Sequence, residues 1–502
     1  MSSPVLWTLI ALQLALGAFD TLYHHELTER LPWRPSQARE LRLHGARNLL
    51  YALLFLMLGW AQPTGVLAVA VLAVLALEVA ITLVDFVEED RTRRLPASER
   101  ITHTLLALNY GAILAFLAPV LIDWIGQPTG LALVSRDWWS WVASAGALGV
   151  LVFGIRDLAA AGRSDRLVPP PPAALAAALV GRRRVLVTGA TGFIGSRLVE
   201  ALAAAGHEVV VLTRDPAKAP GLPTPLTVLT RLDAIAPDQR IDAIVNLAGE
   251  PLADGLWTLR KRRRILRSRL KVTREVGRLI ARLEHKPEVL INASAVGWYG
   301  LRGDEPLIET SAARRCFSHR VCEARELAGE RAGAGVVRVV NVRIGLVLGT
   351  QGGMLGRLLT PFEFGLGGPI GSGRQWMPWI ALDDCVRLIC HAIGCQDLVG
   401  AVNANAPQPV RNRDFARALG RALGRPAFIP VPGWLLHAAL GDFADELLLR
   451  GQLVIPAKAI SSGFRFDQPE LNGALAAILG EPQPEAPRPG IATVAERPAL
   501  SV

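Results

Sequence analysis

The sequence contains little cysteine, and the arrangement of its five cysteines argues against two kinds of structural framework. All five lie beyond residue 315, at Cys316, Cys322, Cys385, Cys390 and Cys395, and no two of them form a C-x-x-C pair. This spacing is not typical of a disulfide-stapled fold or of a structural zinc site. We therefore expect reduced thiols in a domain that faces the cytoplasm.

Lysine is also scarce, with five lysines among 54 basic residues, so the net charge of +10 comes almost wholly from arginine. The arginines are densest in TLRKRRRILRSRLK, residues 258–271. A basic run of this kind can bind nucleic acid, but no interleaved aromatic residues and no zinc-finger or helix-turn-helix pattern accompany it. We predict no nucleic-acid partner and interpret the run as a solvated or membrane-facing helix surface.

Long apolar runs are confined to the first third of the chain, although 51% of all residues are hydrophobic. Five segments have the length that a hydrocarbon core requires. These segments span approximately residues 4–23, 44–62, 65–86, 102–122 and 138–156. Arginines follow the first and third segments, so the positive-inside rule places the N-terminus outside and Arg156 inside. The sequence predicts an integral protein of the plasma (inner) membrane, with the lipid bilayer as a partner and the rest of the chain in the cytoplasm.

Histidine and carboxylate residues gather at the cytoplasmic ends of four of these segments. Glu40 and His44 share one helical face by their spacing, and Glu99 and His103 share another. A metal site inside a helix bundle is one interpretation, with His24, His44, Glu99 and His103 as the candidates. The alternative is a set of interfacial polar groups that pair with neighbouring arginines. Because the spacing matches neither the Glu-x-x-His of di-iron bundles nor a dense histidine box, the sequence favours no metal.

A run of four prolines at residues 169–172 separates the apolar part from the remainder. Such a run favours extended polyproline geometry and is typical of a semi-rigid spacer. The predicted organisation is an all-α transmembrane helix bundle at 1–158, a linker at 159–182, a Rossmann-like doubly wound α/β domain with a parallel sheet at 183–425, a small C-terminal substrate or cap domain at 426–485, and a disordered tail at 486–502.

The start of the predicted α/β domain, RVLVTGATGFIGSRLVEALAAAGHEVVVLTRD, alternates strand, turn, helix and strand. Glycine in such a turn lets the backbone approach a pyrophosphate, and the helix N-terminus attracts its negative charge. The predicted dinucleotide-binding turn comprises Gly189, Ala190, Thr191, Gly192, Phe193, Ile194 and Gly195.

The ends of later strands supply further cofactor contacts. The second strand ends at Arg214, whose guanidinium suits the 2′-phosphate of NADP, whereas Asp215 next to it keeps NAD open. Another predicted strand ends in Asn246, Ala248 and Gly249. In a doubly wound sheet these ends line the ligand crevice, so we predict NADP binding, with NAD as the alternative.

The motifs TGATGFIG, NLAG and ASAVGWYG resemble the extended short-chain dehydrogenase/reductase superfamily. More narrowly, NLAGEPLADGLWT, GLGGPIGSGRQWMPWIALDD and PVRNRDFARALGRALGRPA resemble its atypical epimerase/dehydratase-like family, which carries a small C-terminal domain of unknown function. The resemblance covers residues of about 183–480 and does not include the membrane part. It implies a Rossmann domain and hydride transfer assisted by a Tyr-x-x-x-Lys pair and a serine.

The residues at the position of that pair differ from the superfamily pattern. The resemblance aligns Tyr-x-x-x-Lys with CFSHRVCEARE, residues 316–326, where Phe317 and Val321 replace the tyrosine and lysine. Ser294 matches the serine. Tyr299, the only tyrosine beyond residue 110, is the second catalytic candidate because it is near in sequence, and His319, Cys322 and Glu305 are further candidates. A packing role is the alternative for Tyr299.

The glycine-rich segment GLGGPIGSGRQWMPWIALDD supplies the candidates for substrate binding. Arg374 can bind a phosphate or carboxylate, and Trp376 can cover a ring. The alternative is that the segment only shapes a lid.

Three functions remain open at this point. The first is a membrane-anchored NADP-dependent oxidoreductase or epimerase with an unidentified small-molecule carbonyl or carbinol substrate. The second is a non-catalytic NADP(H) sensor that regulates the membrane part, which the missing Tyr/Lys pair favours. The third is a bundle that receives electrons from NADPH through a metal.

Overall fold

The computed structural model describes residues 3–93, 95–167, 169–216, 221–223, 226–333 and 335–480. It divides the chain into two compact units. The first consists of Met1–Pro170 and Leu348–Phe364, and the second of Pro171–Val347 and Gly365–Val502. The tail predicted to be disordered, residues 486–502, lies outside the described residues.

The first unit is a bundle of long helices. These are α1 (Pro4–Phe19), which a π-helix (Asp20–Glu29) continues, α2 (Ala38–Trp60), α3 (Val66–Thr92), α4 (Ala97–Ile125) and α5 (Trp138–Ser164). The short strands β1 (Ala61–Thr64) and β2 (Gly130–Leu133) pair antiparallel. Because β1 follows α2 and β2 precedes α5, this ribbon gathers the ends of α2 and α4 and the starts of α3 and α5 at one end of the bundle. The histidines and carboxylates that the sequence analysis assigned to the cytoplasmic helix ends therefore lie at the other end of the bundle.

Four helical stretches of the described chain are long and apolar enough to cross a membrane. They are Pro4–Trp33, Val66–Thr92, Ala97–Ile125 and Trp138–Ser164. The remaining predicted span, at 44–62, is helical as α2 but is not among the four. His44, Arg47 and Asn48 make the first half of α2 more polar than the other helices. Close packing between Gly45 of α2 and Gly154 of α5 leaves little room for a side chain at either position.

The second unit contains a seven-stranded parallel sheet in the order β13-β9-β7-β6-β3-β4-β5. Its elements up to β7 are α6 (Pro172–Leu175), β3 (Arg184–Thr188), α7 (Phe193–Ala204), β4 (Glu208–Leu212), β5 (Thr227–Leu229), β6 (Ala243–Asn246), α8 (Leu259–Arg282) and β7 (Val289–Ala295). The strand order reverses direction between β3 and β6, which is where doubly wound sheets bind nucleotides.

Further elements complete the sheet and its helical layers. They are β8 (Pro306–Leu307), α9 (Phe317–Gly333), β9 (Arg338–Ile344), β10 (Leu346–Leu348), α10 (Gly353–Glu363), β11 (Trp376–Met377), β12 (Trp379–Ala381), α11 (Leu382–Gly394) and β13 (Gly400–Ala404). Apolar clusters cover both faces of the sheet, with α7 and α11 on one face and α8 on the other. The Rossmann-like α/β fold predicted from sequence is confirmed. Helix α10 belongs to the first unit.

The C-terminal part of the second unit is formed by short elements. They are β14 (Val410–Arg411), α12 (Asn412–Ala422), α13 (Gly433–Leu440), α14 (Asp442–Ala444), β15 (Leu453–Val454), α15 (Ala457–Ser461) and α16 (Leu471–Leu479). Strand β15 pairs in parallel with β8, and Phe443 packs beside Phe317 and Val321 of α9. These contacts hold the C-terminal elements against the rest of the unit.

Candidate nucleotide-binding site

The turn between β3 and α7 is shaped by glycines. Gly189 has φ +75°, and a Cβ there would lie 2.8 Å from the backbone nitrogen of Ala248. A Cβ on Gly195 would lie 2.2 Å from the carbonyl oxygen of Gly189, so the first turn of α7 packs directly on the strand end. The first amides of a helix have no partner within the helix and attract anions. The turn therefore has the form that fits the pyrophosphate of a dinucleotide.

The loop after β6 forms the opposite side of this crevice, and α8 holds it in place. The Glu250 amide donates to Ser268 Oγ at 3.0 Å, and Arg269 Nη1 donates to the Glu250 carbonyl at 2.9 Å. Gly249 is in close contact with the Arg269 side chain, because a Cβ at that position would approach Cζ to 3.1 Å. The Ala248 amide donates to Thr188 Oγ1 at 3.3 Å. Ala248 thus lies beside the glycine-rich turn, and contact of Ala248 and Gly249 with a cofactor stays a prediction.

Asn246 has a different place from the one that its sequence position predicts. Its side chain is fully buried and belongs to a row of hydrogen bonds across four strands, in which Thr188 Oγ1 donates to Asn246 Oδ1 at 2.7 Å. Asn246 Nδ2 donates to Asn292 Oδ1 at 3.0 Å, and Asn292 Nδ2 donates to Asn341 Oδ1 at 2.8 Å. Each side-chain amide donates a hydrogen bond to the next one, so these buried polar groups have partners within the sheet and need no water. The side chain of Asn246 therefore lies inside the sheet, beneath the strand ends that border the crevice.

Arg214 follows β4, is exposed, and lines an open groove of about 1080 Å³ along α8. Most of the groove is basic: Arg260, Arg263, Arg264, Arg267, Lys271, Arg274 and Arg278 line it together with Arg214. Two acidic residues, Glu250 and Glu275, also line it, and the hydrogen bond of Glu250 with Lys261 lowers the pKa of the Glu250 carboxyl. The groove therefore offers a positive field at the end of β4, the strand that pairs with β3 and its glycine-rich turn.

Ser294 is at the end of β7 and is half-buried. Its Oγ donates to Glu326 Oε1 of α9 at 2.6 Å. Arg343 of β9 holds the same carboxylate with two hydrogen bonds, Nε to Oε1 at 3.0 Å and Nη2 to Oε2 at 2.9 Å. Sequence reasoning selected Ser294 but missed Glu326 and Arg343, because nothing in the local pattern links residues on three different elements.

Tyr299, the other catalytic candidate, is fully buried. Its hydroxyl lies 2.7 Å from Asn403 Oδ1 and 3.0 Å from the Ile308 carbonyl, and it accepts a hydrogen bond from Arg343 Nη1 at 3.2 Å. Burial raises the pKa of the phenol. These contacts give Tyr299 a packing role, which was the alternative interpretation of the sequence.

Phe317 and Val321 lie in an apolar cluster with Trp257, Ile265 and Phe443. The Trp257 ring stands edge-on to Phe317 and to Phe443, with centroids 4.9 Å and 5.6 Å away. One helical turn beyond Val321, Arg325 is buried and donates from Nη2 to the Asn246 carbonyl at 2.7 Å. Its burial lowers its pKa to about 9. Apolar packing and a buried guanidinium thus occupy this face of α9.

The two predicted substrate residues lie beside a separate polar contact. Arg374 is exposed, and its carbonyl accepts from Arg411. Trp376 Nε1 donates to Asp304 Oδ1 at 2.8 Å, and the Arg411 guanidinium lies over the Trp376 ring at 4.4 Å. No described contact joins either residue to Ser294, so a substrate role for them stays a prediction.

A parallel sheet that reverses its strand order at a glycine-rich turn defines the second unit as a dinucleotide-binding protein of the Rossmann type. Comparison with known proteins gives the narrower class. Residues 185–403 match the NAD dependent epimerase/dehydratase family, and residues 431–478 match a domain of unknown function, DUF1731. The small C-terminal domain inferred from the sequence resemblance is thereby supported.

Two relatives match along nearly their whole length. The epimerase family protein SDR39U1 of Bos taurus is 38% identical over 304 residues, 59% of this chain and 99% of the relative. The epimerase family protein YfhF of Bacillus subtilis is 37% identical over 301 residues, 59% of this chain and 98% of the relative. The chain belongs to this epimerase family.

A crystal structure of the human epimerase family protein SDR39U1 with NADPH is 36% identical to this chain. It superposes with a TM-score of 0.54 and covers 59% of this chain and 99% of the human one.

Proposed function

We propose that the protein is a membrane-anchored, NADP-dependent oxidoreductase or epimerase-like enzyme that acts on a carbonyl or carbinol substrate. The observation that carries this proposal is that the Gly189–Gly195 turn and Arg214 follow the paired ends of β3 and β4, where Thr188 lies beside Leu212, and that Arg214 lines the basic groove. The turn suits a pyrophosphate, and the guanidinium suits a 2′-phosphate. That the human relative holds NADPH supports the same cofactor here, with NAD as the alternative.

The residues around β7 define what the protein can contribute to the reaction. NADPH, when bound, supplies or accepts a hydride. Ser294 is the hydroxyl at the crevice end of β7 and can hydrogen-bond a substrate oxygen there. Glu326 accepts from it at 2.6 Å, so this carboxylate fixes the orientation of the hydroxyl. Arg343 keeps Glu326 oriented.

Membrane anchoring is proposed for the first unit, in the plasma (inner) membrane with the second unit in the cytoplasm. Four apolar helices and the alternating direction of α2 to α5 support it. The test is alkaline carbonate extraction of membranes, followed by protease treatment of sealed vesicles. Residues 183–480 should stay with the membrane pellet and be digested only from the cytoplasmic face; release by carbonate would contradict anchoring.

A non-catalytic NADP(H) sensor is the second candidate. It is favoured by the apolar cluster at Phe317 and Val321, which replaces the expected catalytic pair. It is also favoured by helix α10, which follows β10 and precedes β11 in the sequence but belongs to the first unit. Within that unit Glu363 of α10 accepts from Arg163 Nη1 at 3.1 Å. A sensor predicts that NADPH changes hydrogen exchange in residues 353–363 without being consumed.

The experiment that tests the enzyme proposal measures NADPH oxidation by the full-length chain in detergent. Nucleotide sugars, simple ketones and aldehydes serve as substrates, and Ser294→Ala is the matched variant. Turnover that falls at least about tenfold in Ser294→Ala, with unchanged NADPH affinity, supports the enzyme. Tight NADPH binding with no turnover of any carbonyl class favours the sensor.

A further inference from the structure

The end of the helix bundle opposite the β1–β2 ribbon contains a buried cluster of imidazole and carboxylate groups. Two overlapping groups bring their ligand atoms within 4.8 Å of one another. One consists of His25, His44 and Glu89, and the other of Asp20, His25, Glu99 and His103. His25 belongs to both. The π-helix, α2, α3 and α4 each contribute, so the folded bundle assembles the cluster from distant parts of the sequence.

The first group has polar atoms that the protein does not satisfy. The Nε2 atom of His25 and both carboxylate oxygens of Glu89 make no hydrogen bond within the described structure, and His44 Nε2 lies 3.0 Å from Asp85 Oδ2, which also accepts from Arg47 at 2.9 Å. The three residues are only 7%, 2% and 1% exposed. A buried polar atom without a partner costs about 1–3 kcal/mol, so three such atoms in one cluster favour a ligand that they share.

The separations between these groups are those of ligands around an ion. His44 Nε2 lies 3.6 Å from Glu89 Oε1, and His25 Nε2 lies 3.4 Å from Asp20 Oδ2 and 3.7 Å from Glu99 Oε1. Such distances are too long for strong hydrogen bonds. Two donors that each bind a tetrahedral ion at about 2.1 Å are about 3.4 Å apart.

The cluster also contains more carboxylates than arginines. Five buried carboxylates lie here: Asp20, Glu40, Asp85, Glu89 and Glu99. Among the described residues only two arginines form ion pairs with them, Arg47 with Asp85 and Arg93 with the three glutamates. His44 Nε2 lies 3.0 Å from Asp85 and His103 Nε2 lies 3.2 Å from Asp20, whereas the His25 and His44 rings stack with centroids 4.7 Å apart, so imidazolium charge on both of these rings would be repulsive.

We propose that this end of the bundle binds a divalent first-row transition-metal ion through His25, His44 and Glu89. Asp20, Glu99 and His103 form an adjoining set that shares His25. Mixed imidazole and carboxylate ligands suit Zn²⁺, Fe²⁺ or Mn²⁺. His25, His44, His103 and Asp20 also line a largely apolar cavity of about 850 Å³ inside the bundle, so the ion is accessible to a small ligand in that cavity.

This site differs from the set of candidate metal ligands that was identified, and judged unfavourable, from the sequence. His24 is not in either group, because its Nδ1 contacts Asp20 Oδ1 at 2.8 Å and its Nε2 contacts Ser98 Oγ at 3.2 Å. Glu40 does not join His44, because Arg93 binds its carboxylate at 2.9 Å. His44, Glu99 and His103 remain, and His25, Glu89 and Asp20 join them.

The test measures metal in the full-length chain, purified in detergent from cells grown with Zn²⁺, Fe²⁺ and Mn²⁺. Inductively coupled plasma mass spectrometry should find at least about one ion per chain. After chelation, titration with Co²⁺ should restore a saturable visible absorption spectrum. Glu89→Gln should weaken Co²⁺ binding by more than about 100-fold, because it removes a ligand. The matched control is Glu78→Gln, a buried carboxylate on the same helix that instead accepts from Tyr51 at 2.6 Å and Thr82 at 2.7 Å.

A third measurement does not depend on any variant. Pulsed electron paramagnetic resonance of the Mn²⁺-loaded wild-type chain should show nitrogen coupling from histidine. Metal in the wild type, nitrogen coupling and selective loss in Glu89→Gln support the site. Absence of metal after reconstitution, bound Mn²⁺ without nitrogen coupling, or equal binding in Glu89→Gln and the wild type would overturn it and leave a buried ion-pair network.

Discussion

Ser294 Oγ lies 2.6 Å from Glu326 Oε1, and the Arg343 guanidinium donates two hydrogen bonds to the same carboxylate. Three elements, β7, α9 and β9, therefore meet in one charged contact at the crevice. The superfamily resemblance predicts a tyrosine and a lysine for proton exchange on α9, whereas this chain has an apolar cluster at those positions and a carboxylate farther along the same helix. The functional account of the second unit depends on this contact.

Removing the carboxylate should destabilise the fold far more than removing the hydroxyl. Glu326→Ala leaves Arg343, which is 3% exposed, without its charge partner, so we expect a loss of about 3–5 kcal/mol in the free energy of unfolding. Ser294→Ala should cost about 1 kcal/mol. Urea unfolding of fragment 180–502, which contains both family matches at 185–403 and 431–478, measures both. Glu330→Ala, exposed on the same helix, is the control; equal losses in all three variants would contradict the contact.

Gly195→Ala should disrupt the nucleotide turn, because its Cβ would lie 2.2 Å from the Gly189 carbonyl oxygen. We expect a loss of about 1–3 kcal/mol in stability and at least a tenfold loss in NADPH affinity. Fluorescence titration with NADPH measures the affinity. Gly303→Ala is the control, since a Cβ there meets open space. Wild-type affinity in Gly195→Ala would show that the turn does not hold the cofactor.

Restoring a lysine at position 321 should harm the protein. Val321 is 3% exposed among apolar side chains, so Val321→Lys buries an ammonium group and should cost at least about 3 kcal/mol at pH 7. Burial lowers the pKa of the new amine in the folded state, so the unfolded state binds more protons and stability should recover as pH rises toward 10. Denaturant midpoints between pH 7 and 10 measure this. Val336→Lys, at a 63% exposed valine, should be near neutral; an equally mild Val321→Lys would contradict the apolar cluster.

Three thiols should be unreactive in the folded chain. Burial raises the pKa of Cys322 to about 11 and those of Cys385 and Cys390 to about 12, from an ordinary 9.0. Iodoacetamide at pH 8 should therefore label Cys316 and Cys395, which are half-buried, and leave the other three unmodified until denaturant is added. Because the unfolded thiols release protons first, these three groups should also lower the free energy of unfolding as pH rises above about 9. Rapid modification of Cys322 by iodoacetamide, detected by mass spectrometry, would contradict its burial.

The sequence predicts local structure well where one short segment contains the whole signal. The strand, turn and helix around Gly189, Gly192 and Gly195 are of this kind, and so are the apolar helices. Contacts between distant segments could not be predicted. Glu326 meets Ser294 across 32 residues, and His25 meets Glu99 only because the bundle brings two helix ends together. Tyr299 is near the expected catalytic position in sequence, but its side chain is fully buried.

The most direct test of the account is the preference of the full-length chain for NADPH over NADH. Fluorescence titration in detergent compares the wild type with Arg214→Ala, and with Arg231→Ala as an exposed arginine outside the groove. We predict that the wild type prefers NADPH and that Arg214→Ala weakens NADPH at least about tenfold, as expected for a lost charge-assisted contact, while NADH is unchanged. Equal affinity for both nucleotides in the wild type, or binding of neither, would contradict an NADP-dependent function.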